Sequence, residues 1–379
     1  MLNRRLIRIR AMQSLYAYEQ SKKANFLLAQ DLIHEAFAPD LNSMQVQDRV
    51  KLQGLTKLGL QQLVDDFSIE GDKDDFEQPN EVKLAVSQAS SYFLEKNKQD
   101  FNHLILRTAK EADKVFEIYY MLLNLYLALA EMSDRDIAHT GKSRLSANKL
   151  VKEFAISPEL HNMTLRQTFR WDEEMDFVKS LYNQVLKKNP KYLEYCEKLN
   201  HTLEEDTALL KYLVKNVFLK NEVSANFFEG QYLYWSEDKE TLRAMVAHSF
   251  QNYAENNQLT IAQPDETWQE RKDFLMVLFK NGVKEEEELM RTILPSLKNW
   301  EYDRIAETDK ILLKIALIEM KEFPGIPIKV TINEIIEIAK TYSTPKSGQF
   351  VNGVLDRLSK ELVAKGDIKK SGRGMLDNK

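Results

Sequence analysis

The sequence predicts an all-α protein, and three observations carry that expectation. Its 379 residues include only 12 Gly and 9 Pro, so few tight turns punctuate the chain. Apolar residues recur at helical spacing in most long segments, grouped on one face of a 3.6-residue repeat. One segment, Asp309 to Met320, is apolar nearly all round and broken only by Lys310, Lys314 and Glu319. That pattern belongs to a helix in the middle of a bundle. The length allows a large core and two domains.

The elements follow in order. Residues 4 to 20 form an amphipathic helix with Ile7, Ala11, Leu15 and Tyr18 on its buried face. Arg5, Arg8, Met12 and Tyr16 make a second stripe beside it. Arg4, Arg5, Arg8 and Arg10 precede any acid; the first is Glu19. Cations at a helix N-terminus oppose the macrodipole by about 0.3–1 kcal/mol each. They form either a basic arm that contacts phosphate or a solvated basic end, and the residues alone leave both open. Phe26–Phe37 and Val46–Phe67 carry helical patterns. Glu70 to Asn80 is acidic and holds Gly71 and Pro79, the marks of a linker.

Residues 81 to 132 return to helix. Their most apolar run, Ile118 to Ala130, is interrupted by Asn124 and too short to span a membrane, so a buried helix is expected. Arg135 to Asn148 reads as a loop. Its Gly141-Lys-Ser143 matches the tail of a phosphate-binding loop, but Asp136 stands where that motif requires glycine and no strand precedes it. Helices continue from 172 to 256, with a clear buried face across Leu203–Leu219. Tyr232, Tyr234 and Trp235 form an aromatic anchor in an expected loop. Gln263-Pro-Asp265 marks a boundary.

Trp268 to Lys280 is helical and Asn281-Gly282 is expected to end it. Glu285 to Lys298 opens with acids, which suit the helix dipole and read as a solvated face rather than a metal site. Phe323-Pro-Gly-Ile-Pro327 turns the chain. Thr331-Ile-Asn-Glu334 matches a capping box, with Val330 and Ile335 at the hydrophobic-staple positions. The helix it opens ends near Tyr342, before Pro345.

The last helix starts near Lys346, with Ser347 as a candidate cap. Val351, Val354, Leu355, Leu358 and Leu362 share one seam. Phe350 lies about 100° off that seam, beside Arg357. It is either a rim residue of the core or an exposed stacking platform. Gly353 is also off the seam. A helix-interior glycine costs about 1 kcal/mol against alanine, so close helix packing is its expected reason. Lys365 to Lys379 is basic and expected to be disordered.

Composition narrows the function. A net charge of −5 excludes a wholly basic nucleic-acid binder, so any such site must be local. The one cysteine, Cys196, excludes an intrachain disulfide framework and a cysteine zinc knuckle, and fits a reducing cytoplasm. No apolar stretch of signal-peptide type follows the first arginines. The expectation is a soluble, cytoplasmic protein. The six histidines fit no metalloprotease pattern, and no nucleophile elbow, dinucleotide fingerprint or marked acid pair occurs. No enzyme, cofactor or metal site is expected.

The C-terminal block, from about Lys272 to Leu362, resembles the transcription antitermination protein NusB family. The resemblance rests on Asp309-Lys-Ile-Leu-Leu-Lys-Ile-Ala-Leu-Ile-Glu-Met320, on Ile326-Pro-Ile-Lys-Val-Thr-Ile-Asn-Glu334 with Ile338-Ala-Lys340, and on Ser347 with Phe350-Val-Asn-Gly-Val-Leu-Asp356. Arg8-Ile-Arg-Ala-Met-Gln-Ser-Leu-Tyr16 is similar to the family's first helix. The resemblance implies a helical bundle of NusB type, here with a large additional helical region. It implies binding of boxA-like single-stranded RNA in ribosomal RNA transcripts, with the ribosomal protein NusE as partner and an RNA polymerase elongation complex as the setting. It implies no catalysis and no membrane.

By that resemblance, Arg4, Arg5, Arg8, Arg10, Tyr16 and Phe350 map onto RNA contacts. Lys346, Gln349 and Arg357 join them as neighbours on the same motif helix. Tyr16 and Asp309 map onto the partner face. The chain departs from the family at Ser343, Lys346 and Gly348-Gln349, and in its length. The expected domains are N-terminal bundle helices over 1–45, a helical insertion over 46–260, the rest of the bundle over 261–364 and the basic tail over 365–379. A helical interaction adaptor that has lost RNA binding is the alternative. An enzyme appended to such a domain ranks last, because the glycine-rich loop of a methyltransferase is absent.

Overall fold

A computed structural model describes the chain except residues 1–2, 43, 45, 69–78, 137–142, 257, 298–300, 302–303 and 379. The expected linker at Glu70–Asn80 and the Gly141-Lys-Ser143 segment therefore fall almost wholly outside the described residues. Those residues form fifteen α-helices and short 3-10 or π turns, with no strand among them. In chain order the helices are α1 (Arg4–Ala36), α2 (Arg49–Phe67), α3 (Asn80–Arg135), α4 (Lys149–Ile156), α5 (Pro158–Leu165), α6 (Met175–Gln184), α7 (Pro190–Glu197) and α8 (Leu203–Leu213). They continue with α9 (Glu222–Gln231), α10 (Trp235–Asn256), α11 (Glu266–Lys284), α12 (Glu286–Ile293), α13 (Glu307–Glu322), α14 (Ile328–Tyr342) and α15 (Ser347–Lys365).

The chain divides into two compact units. One comprises Met1–Leu6 and Lys110–Lys272, the other Ile7–Ala109 and Asp273–Lys379. These bounds differ from the expected 45/46 and 260/261 divisions, since α2 and the first part of α3 group with α1 and the C-terminal helices.

In the first unit, aromatic side chains make much of the core. Tyr126 lies against Phe154, Phe218 and Phe250, and its hydroxyl donates to the Leu210 carbonyl at 2.7 Å. A buried hydroxyl without an acceptor would carry a desolvation cost, so this bond fixes the ring's position. Tyr232 and Trp235 are buried as expected of an anchor, with Trp235 stacked on Phe228 at 4.5 Å. Helix α8 opens with a capping box: the Glu205 N–H donates to Thr202 Oγ1 at 3.2 Å and the Thr202 N–H to Glu205 Oε2 at 2.9 Å. Helix α3 carries an apolar window long enough to cross a membrane, and 72% of that window is buried within the protein.

In the second unit, α13 is central. Every residue from Ile311 to Met320 is buried, and the helix packs on α12, α14 and α15. The expected break at Gly282 does not occur, because α11 continues to Lys284. A Cβ on Gly282 would sit 2.8 Å from Leu15 Cδ2, so the glycine permits α1 to approach α11 closely. Gly353 shows the reverse: close packing is expected of it, yet nothing lies within 4 Å of its would-be Cβ. Gly348 is the close-approach residue of this helix, since a Cβ there would sit 3.2 Å from Lys340 Cγ. Two opposite outcomes follow. Gly282→Ala costs about 1–3 kcal/mol through overpacking, whereas Gly353→Ala stabilises by about 0.5–1 kcal/mol through helix propensity. Urea denaturation of the two variants checks both signs.

The capping box expected at Thr331–Glu334 is also corrected. Helix α14 begins at Ile328, after Pro327, and the Thr331 N–H already donates to the Pro327 carbonyl at 3.1 Å. Proline suits such a start because its φ is preset and it has no N–H to satisfy. Thr331 is thus inside the helix, and its hydroxyl serves a buried acid described below. Val330 is 44% exposed, so no staple forms with it. The basic tail is not disordered over its described part. Gly366, at φ 79°, ends α15 in the left-handed conformation. Ile368 is then buried, the Ser371 N–H donates to the Pro324 carbonyl at 3.1 Å, and Gly372–Asn378 forms 3-10 turns.

Candidate nucleic-acid interface

The expected interface sorts into interior and surface residues. Arg8 is interior. It is 1% exposed and makes a bidentate pair with Glu319, with Nε and Nη2 each 2.6 Å from a carboxylate oxygen. Thr331 Oγ1 donates to Glu319 Oε1 at 2.6 Å, Glu334 lies 3.7 Å from Arg8 Nη1, and the guanidinium sits over the Phe274 ring. The α1 arginine therefore ties together α13 and α14, and its donors face protein rather than RNA phosphate. Arg10 is buried as well. Both correct the reading of a continuous basic arm. The reason is that α1 is buried on all sides from Ile7 to Met12, so no face there is free for a ligand.

Two more expected contacts are interior. Phe350 is 7% exposed, which makes it a core residue rather than a stacking platform. The α15 seam is wider than the five seam positions implied, because Ser347, Gly348 and Phe350 are buried with it. Asp309, expected on a partner face, is buried and accepts the Ser347 hydroxyl at 2.6 Å. Ser347 Oγ in turn accepts the Thr344 N–H at 3.1 Å. Ser347 is thus the first residue of α15 and joins it to the head of α13, without capping the helix.

The remaining expected residues are at the surface. Lys346, Gln349 and Arg357 are exposed along α15, with Asn352 and Gly353 on the same side. Arg357 Nε donates to Glu361 Oε1 at 3.0 Å, and both side chains stay nearly half exposed, so solvent screens the pair and leaves it exchangeable. Lys360 similarly engages Asp356 at 2.6 Å. Tyr16 on α1 is 43% exposed. Arg4 and Arg5 are exposed in the first turn of α1, within the other unit. Chemically, the α15 face offers three cations for phosphate oxygens, Lys346, Arg357 and Lys360, the last two paired with the exposed carboxylates Glu361 and Asp356, and two side-chain amides for base edges. The open space over Gly353 leaves that face flat between Gln349 and Arg357.

A second buried ion cluster, not anticipated from the sequence, supports α1 from below. Lys314 Nζ lies 2.9 Å from Glu19 and 2.7 Å from Glu286, and Glu286 also takes Lys22 at 2.5 Å. Burial by itself pushes the Glu286 carboxyl up, but Lys314 and Lys22 outweigh it and bring it down to about 2. Glu19 pairs directly only with Lys314, so burial, aided by the neighbouring Glu286 charge, prevails over the two lysines and raises it. Burial also pushes Lys314 down, and the two acids outweigh it and hold the amine above the ordinary lysine range. Burial and the acids around it lift Tyr18 to about 12. The available signal was the pair of polar breaks, Lys314 and Glu319, in the otherwise apolar run Ile311–Met320 of α13. Among the described residues no group of three or more His, Cys, Asp or Glu could hold a metal ion.

Fold and surface together define an all-α protein that presents a cationic and amide strip from one C-terminal helix. Comparison with known proteins makes this more specific. The profile of the NusB family matches residues 237–360. That match begins earlier than the block near Lys272 and takes in nearly all of α10. Proteins named transcription antitermination protein NusB are similar to the chain. The one from Chloroherpeton thalassium is 44% identical over 106 residues, covering 28% of this chain and 50% of that protein. The one from Salinibacter ruber is 45% identical over 105 residues, covering 28% of this chain and 66% of that protein. The one from Koribacter versatilis is 40% identical over 104 residues, covering 26% and 71%. The chain belongs to the NusB family. Its match spans half to about two thirds of the length of the first two relatives. No solved structure matches it significantly.

Proposed function

We propose that this chain is a cytoplasmic RNA-binding transcription antitermination factor, acting on ribosomal RNA transcripts with the ribosomal protein NusE as partner. Its relatives are named for antitermination. The observation that carries the RNA reading is the exposed α15 strip of Lys346, Gln349, Asn352 and Arg357, held rigid by a helix hairpin. Single-stranded RNA is commonly held by cations on its backbone and by hydrogen bonds to unstacked base edges. Tyr16, in the same unit, is accessible for a further contact, and Arg4 and Arg5 are exposed on the other unit. Arg8 and Phe350 act indirectly, Arg8 by tying α1 to α13 and α14 and Phe350 by seating α15, the helix that carries the strip, in the core.

The test is an anisotropy titration of boxA-like and scrambled RNA, with and without the ribosomal protein. Lys346→Ala with Arg357→Ala is expected to weaken boxA binding while leaving the melting temperature unchanged. The slope of log K against log salt should flatten by about 0.7 for each phosphate that the variant no longer neutralises. Unchanged affinity and slope would remove the strip from the interface. The burial of Arg8, Arg10 and Phe350 favours a second reading, an adaptor that has lost RNA binding. Capture of the ribosomal protein with no preference for boxA over scrambled RNA selects that reading.

A further inference from the structure

A groove far along the sequence from the α15 strip takes no part in the reading above. It lies in the second unit, between the end of α1, the turn after it and α2, and has a volume of about 860 Å³. Phe37, Leu52, Leu60 and Val64 line its apolar part. That wall is firm, because Ala29, Ile33, Leu55 and Leu63 are buried directly behind it in one core cluster. Gly59 lets the two helices close up, since a Cβ there would meet Ile33 Cγ2 at 2.9 Å. Leu41, also in the lining, is 92% exposed, a large apolar side chain left in water.

The charge of the lining is one-sided. Its ionisable residues are His34, Arg49 and Lys57, and among the described residues no carboxylate lines the groove. The whole chain, by contrast, has 58 Asp and Glu against 53 Lys and Arg. Of the neutral polar groups beside them, Thr56 Oγ1 donates to the Leu52 carbonyl and Gln61 Nε2 to Asp65 Oδ1, while Gln53 is exposed at the surface. The unsatisfied chemistry of the groove is therefore apolar surface plus positive charge.

The geometry points to a docking site for an amphipathic helix of a partner protein, with acidic residues flanking its apolar stripe. A helix lays apolar residues spaced i, i+3, i+4 and i+7 into such a groove. Carboxylates on its flanks would meet Arg49 and Lys57, and would be repelled by nothing in the described lining. A second copy docked about a two-fold axis would set the same cations against each other. A membrane surface fits a convex apolar face better than a concave one.

The test is selection of displayed helical peptides on the full-length chain. The peptides carry Leu at the one-face spacing, with flanking positions randomised between Glu and Lys. Glu-flanked peptides are expected to be enriched. They should bind the Arg49→Glu, Lys57→Glu variant about tenfold more weakly, while a Lys-flanked counterpart binds that variant better than the parent. Leu41→Ser with Val64→Ser should weaken both peptides. All four positions are exposed, so the circular dichroism and melting temperature of each variant should match the parent. Enrichment without flank preference, or peptides indifferent to these substitutions, would overturn the proposal. So would binding to phosphatidylserine vesicles, or self-association, that is lost in the charge-reversed variant without any peptide preference.

Discussion

Arg8→Ala is expected to lower the unfolding free energy by about 3–5 kcal/mol, because it strands the Glu319 carboxylate in the interior. Glu319 has no solvent exposure, and its remaining partner would be the Thr331 hydroxyl. Guanidinium denaturation measures the loss. The contrast with a surface arginine is sharp: a phosphate-binding residue replaced by alanine would leave stability within about 0.5 kcal/mol and flatten the salt dependence of RNA binding. A stability change that small would refute the buried pair. Arg8→Met combined with Glu319→Leu and Thr331→Val separates the charge term from packing. Replacing the fully buried members by apolar side chains, with the part-exposed Glu334 left to solvent, should recover most of the loss, since desolvating the ions offsets much of their attraction.

Lys314→Met is expected to cost a similar amount, about 3–5 kcal/mol, and to change the pH dependence of stability. In the parent, Glu286 is held at about 2 against an ordinary 4.5. A depressed carboxyl stabilises the fold at pH above its unfolded value, and that contribution is lost as pH falls from 4.5 towards 2. Glu19 has the opposite sign. Its raised carboxyl contributes below its folded value and loses that contribution as pH rises through it. Removing Lys314 leaves both acids without their main cation, so burial should raise both. The variant's penalty should therefore be largest near neutral pH and shrink on acidification. Melting curves from pH 7 to pH 3 (about where carboxylates take up protons) should show the parent and variant converging. Parallel curves would show that Lys314 does not set the charge state of this cluster.

The helical class, the central place of α13 and the buried seam of α15 were legible because each is a periodic property of one segment. Val351, Val354, Leu355, Leu358 and Leu362 announce their common face by spacing alone, and all five are buried. The family was legible because its motifs are local strings. The site was legible only in part. Lys346, Gln349 and Arg357 are exposed as their places on the α15 wheel allow, whereas Arg8, Arg10, Phe350 and Asp309 are interior.

Periodicity describes a helix with one buried side, and it misleads wherever a helix is covered on several. The first turns of α1 are such a case. Arginines beside isoleucines read as a basic arm until Glu319, distant in sequence, supplies the countercharge. Thr331 and Gly353 mislead for the same reason: a local motif suggested a cap and a contact, while the actual partner, or the lack of one, lay on another helix. The sequence by itself determined the class, the family and the core faces, because these depend on residue type and spacing. Only the tertiary structure decided which charges are ion pairs and which are surface, because a charge's role depends on the countercharge and solvent that folding brings to it.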